Sequence, residues 1–345
     1  MKIIVALLLI ASAFAQENKP VKAGLTWEDY AYKMAAGVVA RDVTFYSDGV
    51  ACYGKMFFPP GYSTSGKTPG IVLGQGWAGT HYSIEKYGAR FAERGLVAMV
   101  IDYRGWGLSD GFLELPRPRK LGDDNCKNCR DEHRFTNSIS GVVTWRTRLL
   151  PMKQVEDYRN AISYIQGEPG VDPERIGVWG SSYAGGHSLV VAALDARVKA
   201  VSVQIPGIAG KLVPPGPNKL TGKLLEDAMA RAREGKGGEY ETGYSTRRMV
   251  DIETQQAVAE YRPMHYVPLI GARPVQIVVA AEEQLMKNSD HGRAAYDMHS
   301  GPKNFISVAN TSHFEMYIGD AFEQSSKAAA DWFVKYLGGA KTGGE

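Results

Sequence analysis

The sequence is poor in cysteine, with three in 345 residues, at Cys52, Cys126 and Cys129. So few exclude the disulfide framework of a small secreted scaffold. Neither sign of charge is in surplus: 40 Lys+Arg face 37 Asp+Glu, a formal net charge of +3. The short basic stretches RPRK (117–120) and ARARE (230–234) lack interleaved aromatics, so no nucleic-acid partner is expected. No internal repeat and no low-complexity segment appears, and the one long apolar run, from Ile3, is too short to span a bilayer.

What is present is the composition of a globular chain with a large core: 44% hydrophobic, 10% aromatic and 22% charged residues. The first residues, MKIIVALLLIASAFAQ, place a charge at Lys2 before the apolar run and small residues at Ala13 and Ala15. This pattern predicts an export signal over 1–15, cleaved before Gln16, and a secreted or periplasmic chain without a stable membrane anchor. In an oxidising compartment Cys126 and Cys129 of CKNC can close a tight loop disulfide. His133 stands at a spacing that zinc sites tolerate, but without a convincing fourth ligand we expect no metal.

Along the remaining chain, RDVTFYS (41–47) and VACYGKMFF (50–58) read as a hairpin. GIVLGQGW (70–77), a helical pattern from Tyr82 to Gly95, and LVAMVIDY (96–103) read as strand, helix, strand. An irregular excursion is expected over about 112–151, followed by a helix (153–166), a strand (175–180), a helix through HSLVVAALDA and a strand (198–205). Such alternation predicts the α/β class, with a mostly parallel sheet covered by helices on both faces. It stops over about 206–273, read as an inserted helical cap, and resumes at PVQIVVAA (274–281), ending with the strand NFISVA (304–309) and a closing helix. The expected organisation is a single domain over 16–345.

Between the strand ending near Trp179 and the next helix lies Gly180-Ser181-Ser182-Tyr183-Ala184. A serine exposed on a sharp strand-to-helix turn needs small residues two positions to either side. Centred on Ser182 the flanks are Gly180 and Ala184; centred on Ser181 they are Trp179 and Tyr183, which would crowd the turn. Ser182 is therefore the expected nucleophile, with Ser181 packed beneath it. A hydroxyl needs a base, and His313 follows the last predicted strand in the loop before the final helix. Glu282, Glu283 and Asp290 are available to orient the imidazole, and serine, acid, histidine is one known chain order of a catalytic triad. The Tyr183 amide and one from the loop after GIVLGQG are the expected oxyanion donors.

With GSSYAGG, GQGWAGT and DYRGWGLSDG, the chain resembles the α/β-hydrolases over roughly residues 40–338. It is most similar to dipeptidyl-aminopeptidase and X-prolyl-peptidase-like enzymes, including their polyketide-transferase-like branch. The resemblance implies that the acid is Glu283, aligned through a segment of the form IV-x-G-x-x-D-x-L. It also implies that Trp77 gives the second oxyanion donor, since Gln75-Gly76-Trp77 stands where such enzymes have His-Gly-x. No cofactor is implied. The expected activity is serine hydrolysis of a small-molecule ester, ahead of amide hydrolysis or acyl transfer on the same triad; a non-catalytic binding role is the alternative of another class.

Overall fold

The computed structural model describes residues 25–77, 79–114, 143–145, 148–209, 222–234, 240–241, 249–250 and 252–338. The expected export signal over 1–15 and the expectations for Cys126, Cys129 and His133 fall outside them. Eight strands form one sheet: β1 (Val39–Ser47), β2 (Val50–Phe58), β3 (Thr68–Gly74), β4 (Val97–Ile101), β5 (Val171–Ser181), β6 (Val198–Gln204), β7 (Val275–Ala280) and β8 (Lys303–Val308). Their spatial order is β1-β2-β4-β3-β5-β6-β7-β8. β2 runs antiparallel to both β1 and β4, and every other neighbouring pair is parallel.

Helices α1 (Glu85–Glu93), α2 (Pro151–Gln166), α3 (Tyr183–Leu194), α4 (Lys223–Glu234), α5 (Ile252–Glu260), α6 (Gly292–Met298) and α7 (Gly319–Leu337) complete the described framework. β3, β4 and β7 are buried along their whole length because both faces of the sheet are covered there. In β4, Val97, Met99 and Ile101 enter one core while Ala98 and Val100 enter the other. The first core also takes Tyr158 and Ile162 of α2, Leu189 and Val190 of α3 and Ala295 of α6. The second takes Tyr87 and Phe91 of α1 and Ala329 and Phe333 of α7. Each large apolar side chain so buried contributes about 1.5–3 kcal/mol of transfer free energy.

Three departures from the sequence reading are local. The helix expected from Tyr82 begins at Glu85, because residues 81–83 form a 3₁₀ turn whose His81 is bonded to Asp102. The excursion expected to be irregular over 112–151 carries paired strands at Phe112–Glu114 and Val143–Trp145, and α2 already starts at Pro151. The insertion between β6 and β7 holds α4 and α5, and in addition Tyr240–Glu241 pairs with Met249–Val250. Ladders this short carry too few residues for a period-two pattern to register. Among the described residues no helix is long and apolar enough to cross a membrane.

Candidate active site

Ser182 alone turns the chain from β5 into α3, with φ 57° and ψ −121°. A non-glycine residue in such a backbone costs of order 1–3 kcal/mol and persists only where its surroundings hold it. Here the Ser182 N–H donates to Gln204 O at 2.9 Å, and its carbonyl accepts from Gly185 N at 3.0 Å and Gly207 N at 2.8 Å. A Cβ at Gly180 would run into the Ala184 carbonyl and the Ser188 hydroxyl, so only glycine permits this close crossing of helix and strand. Ser181 lies beneath the turn: its Oγ is 2.7 Å from the Tyr317 hydroxyl, and Gln204 Nε2 donates to it at 3.3 Å.

The structure brings Ser182, His313 and Glu283 together. Ser182 Oγ is 3.1 Å from His313 Nε2, and His313 Nδ1 is 2.9 Å from both Oε1 and Oε2 of Glu283. With Nδ1–H donating to the carboxylate, Nε2 is left to accept the serine proton. Burial pushes the Glu283 carboxyl up, but His313 and the backbone N–H groups of Leu285 and Met286 outweigh it and hold the pKa below its ordinary value. Glu282 is exposed; its backbone N–H donates to Thr311 O at 2.9 Å, tying the acid loop to the histidine loop. Asp290 bonds Ser289 instead.

Of the two residues expected to donate to an oxyanion, Tyr183 directly follows Ser182 and Trp77 packs against Tyr183. Tyr183 opens α3, so the positive end of that helix dipole lies at Ser182. Gly76, just before Trp77, packs so closely that a Cβ there would sit 2.7 Å from Ser182 Cβ. The Trp77 and Tyr183 rings meet edge to face at 5.3 Å, and Phe314 packs beside the His313 ring at 5.3 Å. Aromatic surface therefore flanks both nucleophile and imidazole.

The other described histidines do not reach Ser182. His187 is buried behind Tyr183 with Nε2 2.8 Å from Gln154 Oε1 and Nδ1 2.8 Å from the Tyr261 hydroxyl, and burial holds its pKa down to about 3. His291 accepts Ile208 N–H at 3.0 Å, His265 is exposed, and His299 is buried. His81, which the sequence did not single out, is a buried partner of Asp102 at 2.6 Å. Its only sequence signal is a polar residue a few positions after the GQGW loop, and its partner lies 21 residues away.

The family model for acetyl xylan esterase matches residues 14–210 of the chain. The quorum-quenching protein AidA of Acinetobacter baumannii is 27% identical over 327 residues, spanning 86% of this chain and 95% of its own length. A polyketide transferase of Stachybotrys chlorohalonatus is 25% identical over 332 residues, spanning 88% and 99%. Among solved structures, DcsB in complex with its substrate analogue aligns with a TM-score of 0.68 at 19% identity, over 87% of this chain and 100% of that one, a likeness of fold.

Proposed function

Because the chain belongs to the acetyl xylan esterase family of the α/β-hydrolases and is a serine ester hydrolase, we propose that it cleaves small carboxylic esters through an acyl-enzyme on Ser182. The observation that carries this reading is the continuous hydrogen-bond chain from Ser182 Oγ through His313 to Glu283, set on a strained turn at a helix N-terminus. Ser182 Oγ bonds to the acyl carbon while its proton passes to His313 Nε2. Glu283 keeps the imidazole in the productive tautomer and stabilises the imidazolium as it forms. The oxyanion accepts from the Tyr183 and Trp77 amides. Collapse breaks the bond to the leaving alkoxide, which takes the proton from His313, and water repeats the sequence to release the acid.

This reading places the enzyme outside the cytoplasm, carried by the segment after Lys2, as a single domain over 16–345. A second outcome shares the first half of the reaction: the acyl group passes to an acceptor hydroxyl rather than to water. The match to a polyketide transferase favours keeping it in view.

The test is turnover of short- and medium-chain nitrophenyl esters and of an X-prolyl anilide by the mature protein and its Ser182→Ala variant. Ester cleavage lost in the variant is expected. Anilide cleavage lost in the variant would move the reading to a peptidase, and full activity without the Ser182 hydroxyl would overturn the site. Added alcohol acceptors distinguish transfer from hydrolysis by their products.

A further inference from the structure

Asp102 follows β4 with no exposed surface, and its carboxylate is bonded to Gln75, His81 and Leu108 rather than to Ser182, His313 or Glu283. A carboxylate so deep is costly unless every lone pair finds a donor. Its Oδ1 accepts the His81 backbone N–H at 2.7 Å and lies 3.4 Å from Gln75 Nε2. Its Oδ2 is 2.6 Å from His81 Nδ1 and accepts the Leu108 N–H at 2.9 Å. Gln75 and His81 are the two ends of one loop, and between them lie Gly76, packed on Ser182, and Trp77. Asp102 thus grips that loop at entry and at exit. The His81 ring is clasped on its other sides: it packs at a tilt against Tyr53 at 4.6 Å, and its Nε2 lies 3.6 Å from Glu85 Oε1. Glu85 Oε2 is itself bonded to Lys55 and to the Tyr32 hydroxyl, each at 2.9 Å.

We infer that His81 and Asp102 are positioning residues for the oxyanion-binding loop, setting where the Trp77 amide stands relative to Ser182. The inference rests on the ester-hydrolase reading above. An oxyanion donor acts only if it is already in place when charge develops, so a loop anchored at both ends stabilises the transition state and leaves ground-state binding alone. Loosening the anchor then lowers kcat without raising KM. It weakens a tetrahedral analogue such as an alkylboronic acid by the same factor.

The experiment compares wild type with His81→Leu and His81→Asn, each normalised by active-site titration so that a misfolded fraction is not counted. Asparagine keeps a side-chain N–H near the place of His81 Nδ1; leucine removes it. We expect His81→Leu to lower kcat by about tenfold or more per titrated site, with KM within about twofold and the boronate Ki raised in parallel. His81→Asn should recover most of the loss. Hydrogen exchange in the intact protein should quicken in peptides covering 75–81 and stay unchanged over 180–190. Unchanged kcat, a fall in kcat without a matching rise in Ki, or unchanged exchange over 75–81 would each overturn the inference. Turnover that survives Ser182→Ala sinks the hydrolase reading itself, whereas Ser182-dependent turnover indifferent to His81→Leu sinks only this one.

Discussion

Glu283 meets His313 with both carboxylate oxygens 2.9 Å from Nδ1, and its Oε1 also accepts the N–H groups of Leu285 and Met286. The carboxylate is itself held in place, so the imidazole is oriented by a fixed acceptor. Glu283→Gln keeps the shape but presents an amide, which can force the other tautomer and turn Nε2 into a donor. Ester kcat is expected to fall by about 10³-fold or more with little change in KM. A loss under tenfold would mean that another group orients His313.

The backbone at Ser182 separates strain from chemistry. Ser182→Ala and Ser182→Gly both remove the nucleophile, so both are expected to lose at least about 10³-fold in kcat. Only glycine relaxes a φ of 57°, and the glycine variant should melt about 1–3 °C above the alanine variant. Thermal melts of the two inactive proteins decide it; a lower Tm for glycine would show that the turn stores no strain.

Gly76→Ala places a methyl group 2.7 Å from Ser182 Cβ. The loop must then withdraw from the nucleophile. Activity is expected to drop by at least about tenfold, while circular dichroism and Tm stay close to wild type because the site lies at the edge of the core. A fully active Gly76→Ala protein would mean that this loop does not take part in the reaction.

His187 is neutral in the folded protein, its pKa held at about 3 by burial, against about 6.5 in an unfolded chain. A depressed pKa makes the unfolded state the better proton binder between these values. The stability that His187 contributes is present in full above about pH 6.5 and is lost as pH falls towards 3. Tm of the wild type should therefore decline on acidification through this window, and His187→Gln should decline less steeply. Parallel curves would show that another group governs acid sensitivity.

The meeting of Ser182 with His313 was legible in the sequence because each is announced locally, Ser182 by small neighbours and His313 by its place after the last strand. Glu283 as the third member of the group was less so. Glu282 and Glu283 are adjacent, and only the packing of the histidine loop decides which faces His313: Thr311 takes the Glu282 backbone N–H, leaving the Glu283 side chain against the ring. The motif DYRGWGLSDG pointed to a family without revealing what its residues do. In the fold Arg104 is buried against Asp157 at 2.6 Å, the Ser109 hydroxyl donates to the Asp102 carbonyl, and the Asp102 carboxylate accepts the His81 backbone N–H. The Arg104–Asp157 and His81–Asp102 partnerships span 53 and 21 residues of chain, and no periodicity records a contact at such range.

The order of the strands also carries a consequence for synthesis. β5 and α3 complete the turn that bears Ser182, yet His313, its proposed base, arrives 131 residues later, after the insertion and Glu283. A ribosome therefore releases the Ser182 turn long before its hydrogen-bond partner His313. On the proposed mechanism, translation broken off anywhere in that interval yields a product whose Ser182 hydroxyl keeps its ordinary reactivity, and hydrolysis waits until His313 has been made.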